Sequence, residues 1–268
     1  MDDRTMLFLL NDAAGAVFGT EDFCLFLYSL VRMHSPKTIV ELGTGLGISA
    51  FWMALAAKRN KIGHVWTVDD FEFFDRNKDK VEEINRKINS LGIVALGGSS
   101  ADEYYSKMSR RFEFDSCLTF VKSRIELNQV AHFDNYPFGE VPIDLLFADI
   151  RHGPLDILAL LGHFLARMSP SSSILIHSAS TYWPSYLLLE QLVAQLNEGK
   201  IPAMLQNFCT TDLSQACRNR RFLLIHLTQQ KGVKQNSAAW FKLEPTDLLP
   251  HPLCAMHGAS ESTRLVVE

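Results

Sequence analysis

A chain of 268 residues, 47% hydrophobic and 21% charged, has ample material for a buried core, which excludes an intrinsically disordered protein. Its formal charge of -4, with Lys and Arg scattered along the chain, leaves no basic stripe to neutralise a phosphate backbone, so nucleic acid is not an expected partner. Cys24, Cys117, Cys209, Cys217 and Cys254 are odd in number, widely spaced and without a C-x-x-C pair, which argues against a disulfide framework or a zinc site and for reduced thiols in the cytoplasm.

The apolar run 6–10 is stopped by Asn11 and Asp12, short of the apolar region of a signal peptide. No stretch reaches about 18 uninterrupted apolar residues, so a membrane-spanning helix is not expected. Residues 21–33 carry a helix-length apolar pattern behind Thr20, a suitable N-cap, and are read as a leading helix outside the sheet. Residues 38–42 form a short buried-strand run that ends directly in Gly43, and 48–59 follow as a helix rich in Ala, Leu and Met. The alternation continues with a strand at 64–68, a charged amphipathic helix at 78–91 and a third strand at 117–121. Residues 92–114, which include Gly97, Gly98, Ser99 and Ser100, are expected to form an inserted loop or lid.

The run 143–148, apolar except for Asp144, marks a strand covered on both faces, and 154–168 reads as a helix with Pro154 in its first turn. A fifth strand is expected at 174–177 and a helix at 186–197. Two further apolar runs, 203–208 and 222–227, complete seven strands; no helix pattern separates them, so an antiparallel final pair is expected. The resulting class is α/β, a seven-stranded, mostly parallel sheet with helices on both faces, in one domain spanning 1–230. Residues 231–268 show no periodicity and are read as a C-terminal tail.

The strongest chemical signal is Glu41-Leu42-Gly43-Thr44-Gly45-Leu46-Gly47, placed where the first strand meets the first helix of the sheet. Glycines there let the backbone turn sharply and approach a ligand, and an open α/β sheet binds ligands at the carboxyl ends of its strands. Ile48 stands where the dinucleotide fingerprint needs glycine or alanine, which weakens a nicotinamide reading. Asp69, followed by Asp70, ends the second strand, where a carboxylate can accept the hydroxyls of a ribose; a helix N-cap or a solvated loop acid is the plainer alternative. Phe71 could cover an adenine face or belong to the core.

Across 36–180 the sequence resembles the class I S-adenosylmethionine-dependent methyltransferases, whose fold is Rossmann-like. The resemblance implies that Glu41, Gly43, Thr44, Gly45 and Gly47 hold the methionyl portion of S-adenosylmethionine, that Asp69, with Asp70 beside it, holds the ribose, and that the loop carrying Ser123 and Arg124 borders the adenine. A narrower likeness, to small-molecule O-methyltransferases whose fourth strand ends in D-G-x-H and whose fifth ends in H-D, rests on Asp149, His152 and His177. Ile150 replaces the glycine and Ser178 the second acid. Metal-dependent members hold a divalent cation with acidic or amide oxygens at these strand ends; an imidazole and a hydroxyl suit magnesium poorly, so no metal ligands are assigned.

On this resemblance Asp149 lies at the cofactor and at the chemistry, and His152 and His177 are candidate catalytic groups. His152 is the first candidate base, because an imidazole titrates near working pH and the residue follows the fourth strand on the ligand edge. Both histidines could equally be structural, capping a helix or satisfied in the core. Tyr182 and Trp183 could wall an acceptor, and Glu103, Tyr104 and Tyr105 are ambiguous. The expected activity is base-assisted methyl transfer to a hydroxyl of a small molecule, a natural product or sugar-like compound. Another use of the same cofactor (aminocarboxypropyl transfer or cyclisation) and a non-catalytic partner subunit stay open. The apolar leading helix allows a homodimer.

Overall fold

The computed structural model describes residues 2–15, 20–90, 100–127, 137–209, 212–228 and 237–246. In chain order the elements are α1 (Asp3–Ala14), α2 (Glu21–His34), β1 (Thr38–Leu42), α3 (Ile48–Asn60), β2 (His64–Asp69), α4 (Glu72–Arg76), α5 (Lys78–Ser90), α6 (Ala101–Phe112) and β3 (Leu118–Lys122). They continue with β4 (Ile143–Ala148), α7 (Pro154–Phe164), β5 (Met168–His177), α8 (Trp183–Asn197), α9 (Ala203–Gln206), α10 (Leu213–Cys217), β6 (Arg220–Thr228) and β7 (Ser237–Pro245).

The seven strands pair in the order β3-β2-β1-β4-β5-β7-β6. All neighbours from β3 to β5 are parallel, and β7 runs antiparallel between β5 and β6. The chain therefore reverses its direction of winding between β1 and β4, which opens a crevice beyond their carboxyl ends.

Side-chain alternation along each strand sends one set of residues to each face. Ile39, Leu145, Phe147 and Leu175 meet α1, α2, α3, α5 and α6 in one apolar cluster. Val40, Leu42, Leu146, Ile174 and Ile176 meet α7, α8 and the short α9 and α10 in the other. The N-terminal elements of the first layer are capped as their sequences dictate: Asp2 accepts from Thr5 N at the start of α1 and Thr20 from Phe23 N at the start of α2. Among the described residues no helix is long and apolar enough to cross a membrane.

Four expectations are corrected. Residues 203–208 are not a strand: Pro202 precedes a single helical turn, α9, and Phe208 packs so closely on Gly162 of α7 that a Cβ there would lie 2.8 Å from it. A six-residue apolar run cannot be assigned to strand or helix by periodicity alone. The missing strand is β7, inside the region read as a tail, where Ala239, Phe241 and Leu243 bury one face and Ala238, Trp240 and Lys242 line the other. The insertion 92–114 is not all loop, since Ala101–Phe112 is α6; residues 92–99 lie outside the described residues. Finally, the helix at 154–168 stops at Phe164 and passes through a 3-10 turn, and β5 begins at Met168, six residues before its apolar part, through a serine-rich stretch that carries no hydrophobic signal.

Candidate active site

The turn after β1 is built from a buried acid upward. Glu41 is 0% exposed; its carboxyl accepts from Thr67 Oγ1 of β2 at 2.5 Å and from Ser49 Oγ in the first turn of α3, and Thr67 in turn meets Thr44 Oγ1 at 2.7 Å. Burial pushes the Glu41 carboxyl up to about 8, against the lowering effect of its two hydroxyl bonds and with a further push from Asp149 and Asp69. Enclosed in this way, Glu41 staples β1, β2 and α3 together beneath the turn.

Above it Gly43, Gly45 and Gly47 all have positive φ, at 96, 55 and 75 degrees. At Gly43 the requirement is doubly strict, because a Cβ would stand 2.3 Å from the carbonyl oxygen of Asp149. Gly43 N donates to Val68 O at 2.9 Å and Asp149 N to Leu42 O at 2.8 Å, which binds the ends of β1, β2 and β4 into one rim. Gly47 opens α3 with no side chain capping it, so first-turn N–H groups are left for another partner.

Asp69 sits at this rim, with its carboxylate turned onto the backbone. Oδ2 accepts from Thr44 N at 2.8 Å and Gly45 N at 3.2 Å, and Oδ1 accepts from Phe71 N at 2.7 Å. Burial raises its pKa, opposed by those three N–H bonds. It is thus a clamp on the glycine turn, with lone pairs remaining for a ligand hydroxyl. Asp70 accepts from Glu72 N at 2.9 Å where the chain enters α4, and it too borders the cleft at this rim. Ser123 N donates to the Asp69 carbonyl at 2.8 Å, and the exposed Arg124 pairs with Glu126 at 3.2 Å. Gly43, Asp69, Asp70, Arg124, Ile150 and Phe208 border a cleft of about 950 Å³.

Helix α6 holds the turn from outside. Tyr105 donates its hydroxyl to Gly45 O at 2.6 Å, and Tyr104 donates to Leu46 O at 3.3 Å. Both rings are buried against Phe74, and Tyr105 also stacks on Phe120 at 4.3 Å. The signal for this helix was present in Ser100-Ala101-Asp102-Glu103, an S-x-x-E capping pattern; Ser100 Oγ accepts from Glu103 N at 3.3 Å.

At the ends of β4 and β5 the structure brings together Asp149 and His177. His177 Nδ1 lies 2.7 Å from Asp149 Oδ1, and the imidazole is almost enclosed, with Phe23 of α2 at 5.2 Å and Phe147 at 6.3 Å between ring centres. Ser178 has a positive φ and a buried Oγ with no hydrogen-bond partner. His177 also lines a second, smaller cavity of about 380 Å³ between α2 and the β5-β7-β6 edge. His152 is not part of this pair: it packs edge-on to Tyr182 at 6.1 Å, its carbonyl accepts from Ser185 Oγ, and it lines neither cavity. Tyr182 and Trp183 project outward, Trp183 stacking on Tyr186. Among the described residues no three His, Cys, Asp or Glu side chains converge as a metal site.

Residues 40–179, just over half of the chain, match the family model described as a methyltransferase domain. The chain belongs to this methyltransferase family. No curated protein matches the sequence. Among solved structures, this methyltransferase is similar to cofactor-bound Rv0187 from MTB, at 14% identity over 90% of each chain with a TM-score of 0.52. It is also similar to the Bacillus cereus O-methyltransferase in complex with SAH, at 14% identity over 91% of this chain and 92% of that one, with a TM-score of 0.49. The first likeness covers more of the chain than the family match does.

Proposed function

We propose that the protein is an S-adenosylmethionine-dependent O-methyltransferase acting on the hydroxyl of a small molecule, with His177 as the proton acceptor and Asp149 as the group that orients it. The residues fit the cofactor on their own chemistry. The cleft of about 950 Å³ is large enough, Asp69 has acceptor capacity left for a sugar hydroxyl, and the uncapped start of α3 suits the methionyl carboxylate. When bound, the cofactor supplies a methyl carbon already activated by its sulfonium.

What the chain must add is alignment and a place for one proton. The observation that carries the reading is the 2.7 Å contact between His177 Nδ1 and Asp149 Oδ1. With the carboxylate accepting from Nδ1–H, the imidazole is fixed in the tautomer that leaves Nε2 as an acceptor. His177 Nε2 would take the acceptor's hydroxyl proton, while a bound cofactor would supply the methyl group to the acceptor oxygen and keep the bonding pair on its sulfur. Gly43 packs directly on the Asp149 carbonyl and Ile150 borders the cleft, so the pair stands between the cofactor cleft and the cavity beside α2. His152 lacks such a partner, which is why His177 is preferred as the base.

Replacing His177 with Gln should lower kcat by about 10²–10⁴-fold, the usual worth of a positioned base, and leave the affinity for S-adenosylhomocysteine within twofold. Asp149→Asn should lower kcat in the same way, and His152→Ala should not. A His177→Gln enzyme that turns over at the wild-type rate would refute the assignment.

A further inference from the structure

Resting on that reading, we infer that the cavity beside α2 is the acceptor site and that it takes a single-ring aromatic alcohol presenting one hydroxyl, rather than a polyol or sugar. Strand register fixes which residues share its floor. His177 of β5, Ala238 of β7 and Leu227 of β6 stand side by side across three strands and so project from the same face of the sheet. His226, which also lines the cavity, pairs with Ala239, one position on, and its ring stacks on Tyr186 at 4.1 Å. The opposing wall comes from Phe23 and Phe26, three residues apart on α2, their ring centres 6.0 Å from each other. Phe23 reaches the His177 ring and Phe26 meets Trp240 edge-on at 5.7 Å.

The space exists because Ala238, a methyl side chain, lies between the larger His177 and Leu227. The result is a slot with Phe23 and Phe26 on one wall, Ala238 and Leu227 on the floor, the His177 imidazole among its lining and polar groups from Thr20, Asp22, Thr228 and Ser237 around them, and neighbouring strands about 4.8 Å apart set its width. Its volume of about 380 Å³ is near the lower end for ligand cavities, which suits one substituted ring. Thr20, Asp22, His226, Thr228 and Ser237 also line the cavity, so the discrimination rests on Phe23, Phe26, Leu227 and Ala238: a sugar hydroxyl set against these would be unpaired, at a cost on the order of tenfold in affinity each. A phenol makes the opposite match: its ring pairs with Phe23 and Phe26, and its hydroxyl ionises near pH 10, within reach of an imidazole base. The methyl transfer balances as written above, with the phenolic proton passing to His177.

The test uses the full chain saturated with S-adenosylmethionine and three acceptors, 4-ethylphenol, catechol and myo-inositol, each with and without chelator, alongside calorimetric binding of S-adenosylhomocysteine and then of 4-ethylphenol. The expected result is methylation of 4-ethylphenol, undiminished by chelator, with myo-inositol at least a hundredfold slower. Ala238→Leu, which fills the slot, should weaken 4-ethylphenol binding at least tenfold and keep S-adenosylhomocysteine affinity within twofold, the latter reporting an intact fold. If that variant fails to fold, Phe26→Ala serves instead and should admit a bulkier 4-substituent that the parent excludes. Preference for myo-inositol, a strict need for catechol abolished by chelator, or no methylation of any of the three overturns the slot while the cofactor reading stands. No binding of S-adenosylhomocysteine overturns both.

Discussion

At the scale of single residues, two carboxyl groups that look alike in the sequence do different work. Glu41 and Asp69 both border the glycine turn, yet one is sealed under it and the other clamps it from the rim. The sealed acid has a measurable signature. Its pKa is raised from the ordinary 4.5 to about 8, so in that interval the native protein keeps a proton that the unfolded chain has released. Unfolding free energy therefore falls as pH rises between those values, opposite in sign to the usual carboxylate. Urea midpoints at pH 5 and pH 8 should show the wild type less stable at the higher pH, and Glu41→Gln, which carries no titrating proton, should shrink that difference. Equal pH dependence in the two proteins would contradict the burial of a neutral acid. The sequence placed Glu41 in the right motif but could not reveal its direction, because the hydroxyls that hold it come from Thr67, on a different strand, and Ser49, eight residues on.

At the scale of elements, the glycine turn is held by α6 as much as by its own sequence. Tyr105→Phe removes the 2.6 Å bond to Gly45 O and leaves a carbonyl beside an apolar ring. A loss of about 1–3 kcal/mol, the cost of a buried group left unpaired, is expected in urea unfolding, with S-adenosylhomocysteine affinity reduced several-fold. Gly43→Ala is expected to be more severe, since φ of 96 degrees and a Cβ 2.3 Å from the Asp149 carbonyl force β1 and β4 apart; calorimetry should find no binding even where circular dichroism finds helix and sheet retained. The elements legible from sequence were those with a single strong signal: the mostly apolar runs of β1 and β4, and α2 with its threonine cap. Helix α6 was obscured because it follows a glycine-serine stretch, although its own Ser100–Glu103 cap was readable. The His177–Asp149 pair was only half legible, because residues 28 positions apart meet through a strand pairing that the sequence does not state.

For the whole molecule, the decisive element is β7, the strand that lay hidden in the region read as a tail. Strand β7 lies between β5 and β6, pairing with both, and buries Ala239, Phe241 and Leu243 at 0% exposure. Alternating small, aromatic and charged residues hid it from periodicity, yet it supplies Ala238 to the acceptor slot and Ser237 to the loop after β5, where Ser178 N donates to Ser237 O at 2.7 Å. A chain ending at residue 236 should therefore lose cooperative unfolding altogether, rather than shed a dispensable end. A sharp urea transition in that truncation would show that β6 can stand without it. The same sheet order places the cofactor cleft and the acceptor slot on either side of the β4 and β5 ends, so everything proposed depends on the cleft being a nucleoside seat. Calorimetric titration with S-adenosylhomocysteine tests this most directly. One molecule should bind per chain, at least tenfold more weakly to Asp69→Ala; absence of binding, or binding untouched by that substitution, would contradict the account.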